Sequence, residues 1–208
     1  MNPLTLVLKS KGKMDNITPK DTDLVVLKSR DLTNTILNVK QDLRKYWDKD
    51  YINEHIESCK NHSHKILMRF LWITGVRITE ALSIKKSDLN FKDRLITVRW
   101  LKSRKYNERV LPMHQDIRFV LELYVANMKA SDKVFPICRQ RAFQITTQHL
   151  GGSPHRLRHS FAYNFVKQSR DIVMLKMLMG HKNINTTMEY LKICPADQAE
   201  AISKIQFR

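Results

Sequence analysis

No run of about twenty apolar residues occurs in the 208-residue chain, so nothing in it reads as a membrane span. The opening MNPLTLVLKSKGK has too short an apolar core for a secretory signal and lacks a cleavage pattern. Cysteine is scarce. Cys59, Cys138 and Cys194 are odd in number and scattered, which excludes a disulfide framework and fits a reduced cytoplasmic chain. None of them stands at ligand spacing. His62 and His64 lie beside Cys59, but the segment from Glu57 to Lys65 reads as a polar loop or helix end, and no metal site is expected there. Repeats and low-complexity tracts are also missing. Acidic residues are few, 20 against 37 Lys and Arg, leaving a formal charge of +17 and a pI of about 9.9. Such an excess releases counterions from a polyanion and steers encounter with it. On charge alone the polyanion could be DNA, RNA or an anionic membrane.

The length suffices for one sizeable core and a small appendage. A boundary is expected near Trp47 to Tyr51, giving a short N-terminal segment 1–45 and a main domain 46–208. In the first, LTLVL fits a strand, and Leu32, Ile36, Val39 and Leu43 recur at helical spacing. The rest reads as α+β, mainly α with a small antiparallel sheet. Helices are expected over Ile66 to Ile73, Ile78 to Ile84, Gln115 to Lys129 and Arg141 to His149. Ile96, Val98 and Trp100 alternate into a polar turn, from which Val110 and Leu111 return, predicting a hairpin over Leu95 to Leu111.

The densest chemistry lies between Ser153 and Tyr190. Ser153 followed by Pro154 is a helix start, a hydroxyl cap with proline where its missing N–H costs nothing. His155 and Arg158, three residues apart, then share a face and can reach one anion. Asp171 to Met179 reads as a mostly buried helix stopped by Gly180, which leaves His181 just beyond a rigid element. Asn185 can cap a further helix, Thr186 to Ile193, with Tyr190 one turn into it and its hydroxyl free to be aimed.

With its His-x-x-Arg, Gly-His and terminal tyrosine in order, this segment resembles the C-terminal box of the tyrosine recombinase (phage integrase) family. The upstream residues that the resemblance calls for are present. Arg77 follows the Thr-Gly turn of TGVRITEALSI, with Glu80 one turn later, and the hairpin supplies a lysine. The family's spacing from the Arg109 to Pro112 ending lands on Arg104; Lys102, at the end of the outgoing strand, is favoured, and Lys105 is the alternative. Singly, each residue has an ordinary reading: Arg77 and Lys102 as solvated charges, His155 and His181 as surface histidines, Tyr190 as a packed tyrosine. Their common order over roughly 46 to 195 is what makes the pattern specific.

The resemblance implies a site-specific recombinase that cleaves and rejoins DNA through a 3′-phosphotyrosyl link, without metal, ATP or any other cofactor. Alternatives are a type IB-like topoisomerase and a non-catalytic DNA-binding relative. Arg77 and Arg158 would hold the charge of a pentavalent phosphorane, a task that other enzymes give to metal ions. Tyr190 would be the nucleophile, His155 the base, His181 a donor to the phosphate, Lys102 the acid for the leaving 5′ oxygen, and Glu80 an orienter. Arg104, Lys105 and Arg109 would contact DNA. The expected partner is double-stranded DNA with inverted-repeat half-sites, bound by a homotetramer at the nucleoid. No membrane and no small-molecule substrate are expected. Family members carry a helical domain ahead of the catalytic one, for which only about 45 residues are available here. Ala199, Ile202 and Ile205 form a stripe in a tail, 196–208, that would dock on a neighbouring subunit.

Overall fold

The computed structural model describes residues 46–102, 105–181 and 183–191, with backbone alone at 101, 102, 105 and 106. The strand and helix expected in 1–45, Arg104, the side chains of Lys102 and Lys105, and the tail lie outside the described residues. Among those described, no helix is long and apolar enough to cross a membrane.

The first described helix, α1 (Lys49–Glu57), starts where the Asp48 carboxylate accepts from Tyr51 N, and it buries Ile52 and Ile56. Asn61 caps α2 (His62–Thr74) in the same way, so this helix begins a turn earlier than its apolar run suggests. Gly75 ends it with φ +61°, and a side chain there would collide with the Phe161 ring. The short α3 (Ile78–Ala81) stops before Ile84 because Ile84 O turns away to accept from Val134 N, beside a bridge pairing Lys85 with Lys133.

Three antiparallel strands follow in the order β1 (Leu89–Asn90), β2 (Leu95–Lys102), β3 (Lys105–Pro112). The expected hairpin is β2–β3, with Lys102 opposite Lys105 at the end where the two strands connect. Ile96 and Val98 are fully buried on its inner face. Helix α4 (Gln115–Tyr124) is shorter than its periodicity predicts. The chain turns after Val125, and Lys86 Nζ donates to the carbonyls of Ala126 and Met128. Helix α5 (Arg139–Leu150) is capped by the Cys138 thiol and ended by Gly151 at φ +68°. The Ser153 hydroxyl caps α6 (Pro154–Ser169), as expected.

Two further readings change. Helix α7 (Ile172–Met179) buries only Leu175 and Met179, while Val173, Met174 and Met177 face outward. Its apolar residues cover more than one face, and a single helix packed on one side buries one stripe. Helix α8 (Asn185–Met188) ends before Tyr190, which therefore sits past the helix rather than one turn inside it.

Most of the core lies between α1, α2, the sheet, α4, α5 and the start of α6. A smaller cluster joins Ala162 and Val166 of α6, Leu175 and Met179 of α7, and Tyr190. Tyr190 is thus fixed by packing against the helix that carries His155 and Arg158.

Candidate active site

Arg77, His155, Arg158, His181 and Tyr190 line one open cleft of about 700 Å³, with Tyr46, His159 and Glu189 among their neighbours. Each is presented by an element end or a capped helix. Arg77 precedes α3 just beyond the Gly75 turn, His155 and Arg158 lie on the first turns of α6, and His181 follows the Gly180 stop of α7. Gly180 has φ +63°, and a Cβ there would meet the Arg109 guanidinium at 3.0 Å, so this position both turns the chain and admits Arg109.

Arg158 is buried, and its guanidinium closes two helix ends. Nη1 donates to Gly75 O at 2.6 Å, and Nη2 donates to Met179 O at 2.8 Å. A cation at two helix C-termini is favoured by both dipoles. Burial, then the neighbouring Arg77, nevertheless pulls Arg158 down to about 10. Nη2 also reaches His181 Nε2 at 3.2 Å, while His181 Nδ1 contacts Thr187 Oγ1 at 2.9 Å. Arginine can only donate, so Nε2 must accept and Nδ1 carries the proton. The imidazole is neutral, in keeping with a pKa pushed down to about 4 by burial, then by Arg158 and Arg77. The same causes, in the same order, hold His155 below its ordinary range.

Glu80 is almost completely buried. Its Oε2 accepts from Arg77 N (2.9 Å) and Arg109 Nη2 (2.8 Å); its Oε1 accepts from Arg77 Nη1 (2.9 Å) and Arg109 Nη1 (3.2 Å). Burial alone would raise this carboxyl, but Arg109 and then Arg77 bring it below its ordinary value. Glu80 thus holds Arg77 by both its backbone N–H and its guanidinium. Arg109, expected at the DNA surface, is found elsewhere. Its side chain is 10% exposed, Nε donates to Leu178 O, and the guanidinium lies over the Trp100 ring. It ties the sheet to α3 and α7.

The Tyr190 hydroxyl is not free, as the sequence had suggested. It lies 2.6 Å from His159 Nδ1, with the ring buried beside Tyr46. Burial, then Tyr46, pushes its pKa up to about 12, against a smaller downward pull from Arg158. His159 was missed by sequence reasoning. Its signal was present, since it stands one turn after His155, four residues on and so on the same face; their rings meet edge to face at 4.3 Å. Tyr46 and Thr187 gave no comparable signal.

The lining charges include two guanidiniums and Glu189. That balance favours an anion over a cation.

The phage integrase family model matches residues 45–196. Tyrosine recombinase XerA of Saccharolobus solfataricus is 30% identical over 161 residues, 74% of this chain and 54% of that protein. The chain thus spans little more than half the length of that relative. Among solved structures, XerA recombinase superposes with a TM-score of 0.64 at 22% identity, covering 78% of this chain and 64% of the other. XerH site-specific recombinase, bound to its difH substrate in a pre-cleavage complex, gives 0.58 at 18% identity, covering 77% and 53%. These likenesses establish the fold.

Proposed function

We propose that this chain, which belongs to the phage integrase family, is a site-specific DNA recombinase that cuts and rejoins DNA through a phosphotyrosyl link at Tyr190. The supporting observation is the convergence of Arg77, His155, Arg158, His181 and Tyr190 on one cleft, although the sequence scatters them across three separate segments. The +17 charge and the DNA-bound state of the XerH relative agree with a duplex as partner. Inverted-repeat half-sites, a tetramer on DNA and a place at the nucleoid complete the reading. Residues 46–208 would be the catalytic domain.

In the proposed reaction the scissile phosphate lies between Arg77 and Arg158, whose fixed donors meet the charge that grows on its non-bridging oxygens. The Tyr190 oxygen attacks phosphorus, the Oη–P bond forms, and the P–O5′ bond breaks. His159, already in contact with the hydroxyl, accepts the phenolic proton. This moves the base from His155, the first candidate in sequence, to the residue one turn later. His155 and His181 then act on the phosphate oxygens. Lys102 protonates the departing 5′ oxygen. Rejoining reverses each step on a partner strand, so the bond energy is kept.

Nicked suicide DNA tests this reading. Wild type should accumulate a covalent complex, and Tyr190→Phe should form none while binding DNA with nearly unchanged affinity, since the ring still packs. A complex that still forms in Tyr190→Phe would sink the assignment. Binding without any covalent product in the wild type would favour a non-catalytic relative.

A further inference from the structure

Away from the cleft, the turn between α1 and α2 meets the last turn of α5, and three side chains with no part in the proposed reaction converge there. Cys59 Sγ lies 3.6 Å from His149 Nε2, and His64 Nδ1 lies 3.4 Å from the same nitrogen. One donor atom from each of the three residues lies within 4.8 Å of the other two. Cys59 is buried and both histidines are half-buried, so the group is sheltered yet reachable. His62, the other histidine near Cys59 in sequence, points outward and takes no part. Only the fold could reveal the third member, because His149 is 85 positions beyond His64.

A purely hydrogen-bonded account serves these groups poorly. His149 Nε2 has one lone pair or one N–H to offer, yet it faces two neighbours at similar distance. The Cys59 thiol has a second outlet at Asn61 O, 3.5 Å away, which leaves the sulfur itself to face His149 as an acceptor. A cation would use one lone pair from each. In a tetrahedral zinc site, with Zn–N of about 2.0–2.1 Å and Zn–S of about 2.3 Å, neighbouring ligand atoms stand about 3.3 Å apart for N and N and about 3.6 Å apart for S and N. The two contacts at His149 match two of the three edges, and the third, between Cys59 and His64, lies within 4.8 Å.

We propose that Cys59, His64 and His149 form a site for a late first-row divalent cation, Zn²⁺ foremost, with a fourth position left to water. One thiolate and two imidazoles are a borderline-to-soft donor set, unsuited to Mg²⁺ or Ca²⁺. The site would be a staple rather than a reaction centre. His149 immediately precedes Leu150, whose carbonyl accepts from the Tyr51 hydroxyl at 3.3 Å, and Gly151 then hands the chain to the Ser153 cap of α6. A cation here fixes the α1–α2 turn to the joint from which His155 and Arg158 are presented. Binding to the folded chain in preference to the unfolded one raises stability by mass action.

The test uses the full chain, stripped of metal and titrated with Zn²⁺ against a chromophoric chelator, with Co²⁺ as spectroscopic probe. One Zn²⁺ should bind per chain and raise the melting temperature, and Co²⁺ should show a thiolate charge-transfer band with tetrahedral d–d intensity. Cys59→Ser and His149→Gln should each weaken Zn²⁺ binding by at least about 100-fold, a ligand mattering no less than the groups that orient it. Cys138→Ser and Cys194→Ser should keep both affinity and band. Zn²⁺ affinity unchanged in Cys59→Ser, or a wild-type Co²⁺ complex with no thiolate band, would overturn the proposal. The second of these needs no variant and so does not depend on the variants folding.

Discussion

Replacing Arg158 and Arg77 in turn should separate two roles that an activity assay alone would merge. Arg158→Ala removes donors from the buried carbonyls of Gly75 and Met179. Each orphaned acceptor costs about 1–3 kcal/mol, and loss of the buried aliphatic stem adds roughly 2 kcal/mol. Against this, the substitution relieves an unfavourable burial. A guanidinium drawn down to about 10 by burial and by Arg77 carries a penalty of roughly 3 kcal/mol. The carbonyls and the stem outweigh that relief, leaving a net loss of about 1–5 kcal/mol, or roughly 3–15 °C in melting temperature for a domain of this size. Arg77 differs because its side chain is 43% exposed, and Glu80 keeps both Arg109 bonds without it. Arg77→Ala should cost no more than about 1 kcal/mol. Both variants should lose at least about 10²-fold in cleavage rate, as removal of one preformed donor does elsewhere. Calorimetric melting alongside single-turnover cleavage of suicide DNA reads both quantities. An Arg158→Ala protein that melts with the wild type would refute the helix-end account, and a loss below tenfold in both variants would refute the phosphate role.

The folded protein holds His181 down to about 4 and His155 below its ordinary range, so the unfolded chain binds more protons as pH falls. Their contribution to stability is full above pH 6.5 and is lost as pH falls toward 4; the melting temperature should decline below 6.5, and His181→Gln, which can still accept from Arg158, should flatten that decline. Equal slopes in variant and wild type between pH 6.5 and 5 would remove His181 from the explanation, and comparing the two cancels His64, which burial also holds low. Lys102→Ala should cripple cleavage of ordinary DNA yet be largely rescued by a 5′-bridging phosphorothiolate, whose sulfur leaves unprotonated; rescue at Lys105→Ala instead would transfer the acid role. Deleting 196–208 should leave half-site binding intact and abolish cooperative full-site binding; an unchanged ratio of the two affinities would mean the tail does not act on a neighbour.

Much of the site was legible because its residues sit at element ends that announce themselves. Gly75 and Gly180 stop helices in left-handed conformations, Ser153-Pro154 starts one, and Arg77, His181, His155 and Arg158 follow directly from those signals. The hairpin was legible from Ile96, Val98 and Trp100 for the same local reason. What escaped notice depends on long-range contact. Nothing in the alternation of β3 shows that Arg109 turns inward, because its partner Glu80 is 29 positions away. Helix lengths were overestimated at α3 and α4, where Val134 N and Lys86 Nζ, remote in sequence, take the carbonyls beyond the last turn. Tyr190 was expected within a helix; instead its burial against α6 and its bond to His159 set its position. Cys59, His64 and His149 belong to the same class of non-local assembly.

On the proposed reading, the cleft in the free protein is electrostatically unfavourable in a way that a phosphate would reverse. Arg77 and Arg158 repel each other and lower His155 and His181, and the Glu80 carboxylate that faces Arg77 is buried and shared with Arg109. The histidines are therefore poor donors, and Tyr190, at about 12, is a poor nucleophile. A phosphodiester monoanion between the guanidiniums offsets their repulsion. It raises both histidines toward the charged, donating form, and it gives His181 Nε2 an acceptor to replace the Arg158 contact it now receives. The binding energy of the DNA backbone would thus be used in part to change the protonation of the site, so that cations assembled by the fold become donors where charge develops. The same argument explains why Glu80 is coordinated by two arginines instead of facing the cleft. Exposed there, its carboxylate would compete with the phosphate; buried, it fixes Arg77 in place and leaves the groove positive.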